Sequence, residues 1–278
     1  MPMPSRMPNQ TPSALSQQTT RQSLRAIETE PSVRTSHDIT NLQGSDSGFL
    51  KATAMLDYAH PDIQRLLNEN AWASLPERDR IGAVYHYVRD AIAFGYNVSD
   101  NLSASQVLRD GYGQCNTKGT LLMALLRASG IACRFHGFTI DKKLQKGVIT
   151  GLAYWLAPRN IVHSWVEVAF EGRWVNLEGV ILDKAYLCQL RQRFSKHEGA
   201  FCGFGVATKD LQRPLIEWNG SDTYIQRDGI NQDLGTYSCP DHFYAKHNQE
   251  LAGVKRWLFE NVVRHLMNRT VNRIRSAG

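Results

Sequence analysis

Apolar residues recur along this chain first at helical spacing and then at strand spacing. Ile81, Val84, Tyr85, Val88 and Ile92 lie three and four residues apart, which puts them on one face of a helix. Pro61 and Pro76 suit first helical positions, where the missing N–H is no loss. Ser103 with Gln106 reads as a capping box for a short helix that ends at Gly111. Leu121, Leu122, Leu125 and Leu126 form a second stripe, and Gly130 follows as a left-handed stop. Beyond it, Ile131 to Ile140 and Gly151 to Ala157 predict strands. Alternation through Val166 and Val168, followed by Glu171 and Gly172, predicts a hairpin closed by a tight turn. Helices first and an antiparallel sheet second is the order of an α+β domain, with the N-terminal helices packed on the sheet.

The two ends differ from this middle. Residues 1–48 hold no aromatic residue and are dominated by Ser, Thr, Gln, Pro and Asn, a composition that predicts a disordered tail. Arg6, Arg21 and Arg25 all precede its first acidic residue, Glu28, a pattern also found in organelle-targeting leaders. Residues 49–245 form the expected catalytic domain. With 42% hydrophobic residues and six tryptophans, the chain can bury a sizeable core. Residues 246–278 predict a basic amphipathic helix with Leu251, Val254, Trp257, Leu258, Val262 and Leu266 at helical spacing. This segment carries five of the chain's six net positive charges. Such a helix packs on its own domain or lies against an anionic membrane surface, so peripheral membrane contact stays open while packing is preferred. No aromatic-basic interleaving accompanies it, and nucleic acid is not expected as a partner. Nothing approaches the roughly 20 apolar residues of a membrane span. Cysteines at 115, 133, 188, 202 and 239 form no disulfide framework, and a reducing cytoplasm is the simplest setting. No close cysteine or histidine pair offers metal-ligand spacing, and neither metal nor cofactor is expected.

The candidate chemistry begins at Cys115, set between Gly113 and the start of the leucine-striped helix. There the unpaired N–H groups and the positive end of the helix dipole stabilise a thiolate. If Glu171 and Gly172 are the hairpin loop, Phe170 faces Arg173 and, counting back, His163, Trp165, Glu178 and Val180 share one sheet face. His163 and Glu178 are then diagonal neighbours. A carboxylate there can accept the proton on one imidazole nitrogen and leave the other to act as base toward Cys115. Asp183 falls on the opposite face and is the weaker orienting acid. His136, His242 and His247 are rival bases without a partner motif. Lys142, Lys143, Lys146 and Arg159 mark a solvated turn before His163 or a guide for an acidic substrate. Residues 203–245 read as loop, and their WNGSDTYIQ stretch could line a cleft.

These residues resemble the transglutaminase-like superfamily, whose core is papain-like. The likeness rests on Gly113 with Cys115 at a helix start, on His163 with Trp165 and Glu167, and on Trp174 with Glu178, over about residues 75–190. Glutamate at 178 departs from the aspartate usual in the family. The LLRASGIACRFHGF segment resembles the family's helix-to-strand passage after the nucleophile, and the tail through PDHFYAKH resembles bacterial members. The resemblance implies a papain-like α+β fold and a triad of Cys115, His163 and Glu178. It implies a cysteine-dependent acyl-transfer enzyme acting on a protein or peptide amide as protease, amidase or transglutaminase. The alternative is an inactive transglutaminase-like binding module that recruits partners through the basic helix and the tail.

Overall fold

The computed structural model describes residues 48–247 and 253–277. The disordered tail expected over residues 1–48 lies outside them except for Gly48, and so does Leu251. Pro61 opens α1 (Pro61–Asn70), and the His60 imidazole accepts the N–H of Asp62. In α2 (Glu77–Asp90) Ile81, Val84, Tyr85 and Val88 are buried, the face their spacing predicts. Two-residue strands β1 (Ala93–Phe94) and β2 (Tyr112–Gly113) pair in parallel on either side of α3 (Ala104–Asp110). Ser103 accepts the Gln106 N–H at the start of α3, and Gly111 closes it in a left-handed conformation. The next helix, α4 (Cys115–Ala128), is the centre of the molecule, since every residue from Asn116 to Arg127 is buried.

The chain then builds a four-stranded antiparallel sheet. It runs through β3 (Cys133–Asp141), α5 (Gly151–Leu156), β4 (Asn160–Phe170), β5 (Arg173–Asn176) and α6 (Lys184–Arg193). A small hairpin of β6 (Phe201–Gly203) and β7 (Val206–Thr208) follows, then β8 (Ile230–Tyr237) and α7 (Pro240–Tyr244). The sheet order is β5-β4-β3-β8. Phe170 pairs with Arg173 across the hairpin, and Glu171 and Gly172 both have positive φ, the backbone a two-residue turn needs. Gly119 brings α4 down on Phe135, Ser164 and Val166 of β3 and β4, where a Cβ would be in ordinary contact. Gly137 is stricter. A Cβ there would stand 2.0 Å from the Phe243 ring, so α7 can seat only over a residue without a side chain.

The last segment comprises α8 (Gly253–Leu258), a π-helical turn (Phe259–Val263) and α9 (Arg264–Arg275). Met267, Val271 and Ile274 are its buried residues, whereas Val254, Trp257, Val262 and Leu266 of the expected stripe are exposed. The wider turn shifts the helical phase, and the packed face is set by α9. Asn268 bonds both the N–H and the carbonyl of Tyr96, and Arg275 pairs with Asp183 at 2.8 Å. Among the described residues no helix is long and apolar enough to cross a membrane.

Two other expectations are corrected. The run expected as a strand from Gly151 to Ala157 is instead the helix α5 (Gly151–Leu156) capped by Ala157, because it lacks alternation and the Lys142 ammonium binds the carbonyls of Tyr154 and Ala157 at its end. Residues 203–245 contain the strands β7 and β8 and the helix α7, besides the last residue of β6. Their longest strand, β8, is a largely polar sheet edge in INQDLGTY, so no apolar alternation announces it.

Candidate active site

Cys115 is the first residue of α4 and is half-buried at the wall of a cleft. The turn before it is tightly held. The Gln114 N–H donates to Thr117 Oγ1 at 3.1 Å, the Thr117 hydroxyl donates to Asn97 Oδ1 at 2.7 Å, and the Asn97 N–H donates to Gln114 Oε1 at 2.9 Å. Gly113 has to be bare, since a Cβ would lie 2.7 Å from Thr117 Oγ1 and 2.9 Å from Lys118 Cγ. One residue on, buried Asn116 ties α4 to the sheet. Its amide donates to the Val162 carbonyl at 3.2 Å and accepts from the Ser164 hydroxyl at 2.8 Å. Those partners flank His163, so Asn116 fixes the helix start relative to that imidazole.

His163 and Glu178 are both fully buried, and His163 Nε2 lies 2.9 Å from Glu178 Oε1. The hairpin register holds as counted, but β5 ends at Asn176. Glu178 therefore lies past the strand, at the start of a short 3-10 turn (Glu178–Val180), and meets His163 directly. Its second oxygen, Oε2, accepts the backbone N–H groups of Ile225, Gln226 and Arg227 at 2.9, 3.1 and 3.0 Å. With the imidazole on one oxygen and three backbone N–H groups on the other, the carboxylate is held in a fixed orientation. The other imidazole nitrogen, Nδ1, is buried without a conventional hydrogen-bond partner among the described residues. Burial opposes a charge on His163, but the adjacent Cys115 sulfur and the Glu178 carboxylate outweigh it and raise the pKa to about 10.

The remaining candidates are placed elsewhere. Asp183 caps α6 through the Tyr186 N–H, accepts the Phe94 N–H and pairs with Arg275. His136 lies between Glu167 and Asp233 on the sheet, so Glu167 of the His-x-Trp-x-Glu stretch serves His136 and Arg134 rather than His163. Lys118, one turn along from Cys115, is fully buried and donates to the carbonyls of Arg89 and Ile92; burial pushes its pKa down to about 7. Among the described residues no group of three His, Cys, Asp or Glu could hold a metal ion.

The cleft at Cys115 and His163 has a volume of about 560 Å³. Tyr96, Asn97, Asp100 and Gln114 are among its polar lining residues, and Lys255, Arg256 and Glu260 add charge from the C-terminal segment. Burial raises the Tyr96 hydroxyl pKa well above its usual value, leaving it a neutral donor. Residues 65–179 match the family model of the transglutaminase-like superfamily. This segment belongs to that superfamily. The transglutaminase-like segment contains Cys115 and His163 and ends one residue after Glu178. No curated protein matches the chain. A solved structure from Cytophaga hutchinsonii, provisionally described as a cysteine protease, is similar over 77% of this chain at 15% identity and a TM-score of 0.40. The match covers 52% of that longer chain.

Sequence reasoning missed Asn116 and the amides of residues 225–227. The WNGSDTYIQ stretch reaches the site through its backbone and Gln226, and it supports Glu178 more than it lines the cleft. A backbone amide leaves no mark in residue type. Asn116 did carry a signal, as one of several polar residues in the first turns of a helix whose later turns are leucine-rich.

Proposed function

We propose that this chain is a cysteine-dependent acyl-transfer enzyme acting on protein or peptide amides. The observation that carries the proposal is the buried His163–Glu178 pair, whose free imidazole nitrogen adjoins Cys115 in an open cleft. Glu178 holds the proton on Nε2, which leaves Nδ1 to take the Cys115 thiol proton. The thiolate attacks the amide carbonyl carbon, and the oxyanion that forms is met by the Cys115 backbone N–H at the helix start. As the C–N bond breaks, the imidazolium proton passes to the leaving amine. The resulting thioester goes to water, which returns a carboxylic acid, or to an amine, which returns a new amide. Either route regenerates the thiol.

The experiment pairs two readouts on the full chain: peptide release from labelled casein, and incorporation of a fluorescent primary amine into casein. Wild-type protein shows one or both, and Cys115→Ala abolishes them. Activity that survives Cys115→Ala overturns the proposal.

A further inference from the structure

The C-terminal segment reaches the cleft through its irregular turn. In Phe259–Val263 the Arg264 N–H bonds the Phe259 carbonyl five residues back, so the turn is wider than an α-turn. Single π turns inside α-helices occur frequently at functional sites. Leu258, Phe259 and Val263 from this turn line the cleft, as do Ile140, Leu144 and Ile149 from the end of β3 and the segment after it. The turn is anchored from below, since α9 is fixed to Tyr96 by Asn268 and to Asp183 by Arg275. Tyr96 itself lines the same cleft.

Two separate stretches thus contribute aliphatic and aromatic surface to the cleft that holds Cys115 and His163. Lys255, Arg256 and Glu260 also line the cleft, but Arg256 and Glu260 already pair with each other at 2.7 Å, whereas an apolar side chain set against the aliphatic and aromatic part gains by burial. Building on the acyl-transfer proposal above, we infer that the acyl donor presents a large apolar side chain, branched aliphatic or aromatic, beside the scissile carbonyl. The π turn Phe259–Val263 and Leu144 are the specificity-determining elements.

N-acetylated aminoacyl chloromethyl ketones test this without requiring turnover, because the thiolate forms a bond to the methylene carbon as chloride leaves. The side chains compared are Phe, Leu, Ala, Glu and Lys, with iodoacetamide as the reagent that senses the thiolate alone. Inactivation of the full chain by the Phe and Leu reagents is expected to be about 10- to 100-fold faster than by Ala, Glu or Lys. Phe259→Ser and Leu144→Ser, in separate segments, should each narrow the Phe-to-Ala ratio by about 10-fold. A flat series, a preference for Glu or Lys, or a ratio unmoved in both variants overturns the inference. If Cys115 is slow even toward iodoacetamide, the acyl-transfer proposal itself fails, and the inference with it.

Discussion

Replacing Glu178 by Gln changes little in shape and much in hydrogen bonding. Three backbone N–H groups converge on Oε2 at 2.9 to 3.1 Å, so the Gln carbonyl must take that position to satisfy them. Its NH2 group then faces His163 Nε2, which has to become an acceptor. The imidazole proton moves to Nδ1, the nitrogen needed as base. Neutral hydrogen bonds are roughly half as strong as charge-assisted ones, and a buried imidazolium loses its counter-charge, so the variant should be about 2–4 kcal/mol less stable to urea. A triad histidine held in the wrong tautomer loses about 10,000-fold in turnover, about 5.5 kcal/mol of transition-state stabilisation. Alkylation by iodoacetamide at pH 6 isolates the ground state. An ordinary thiol of pKa about 8.5 has about 0.3% thiolate there, so losing the ion pair should slow Cys115 by about 100-fold. A Glu178→Gln protein that alkylates at the wild-type rate at pH 6 would refute this reasoning.

Other expectations follow from the same contacts. Because Cys115 and Glu178 raise the His163 pKa to about 10, the imidazolium persists at neutral pH, and amide turnover should fall as pH rises through about 10; a fall centred near the ordinary histidine value would contradict that. Burial lowers Lys118 to about 7, so between roughly pH 7 and 10 the unfolded chain binds the extra proton and stability rises with pH by up to about 1.4 kcal/mol per unit. The urea stability of wild type relative to Lys118→Met should therefore grow from pH 6 to pH 9, and a constant difference would mean the lysine is not desolvated. Gly137→Ala forces a Cβ against the Phe243 ring and should cost about 2–3 kcal/mol, lowering Tm by about 5 °C or more; an unchanged Tm would place that ring elsewhere.

Much of the fold was legible because burial imposed a period on the sequence. The helices around Ile81–Ile92 and Leu121–Leu126, the Ser103 cap and the Glu171–Gly172 turn all follow from spacing and local backbone preference. Cys115 and His163 stood out for the same reason, as reactive side chains at definable points of those elements. Three features were hidden. The phase of the C-terminal helix depends on a π turn that no residue type announces, so Val254, Trp257, Val262 and Leu266 of the expected stripe are exposed. The edge strand β8 is polar because one of its sides faces no neighbour. Glu178 was found on the right face, but its position past the strand and its three backbone donors depend on residues 225–227, almost 50 positions away.

The central claim is a Cys115 thiolate held by the His163 imidazolium. The rate of alkylation from pH 4 to 10, compared among wild type, Cys115→Ser and His163→Ala, addresses it directly. The account predicts one fast thiol in wild type that reacts well below pH 7, disappears in Cys115→Ser and loses its low-pH reactivity in His163→Ala. A Cys115 that reacts like an ordinary thiol of pKa about 8.5, or a low-pH reactivity that survives His163→Ala, would contradict it.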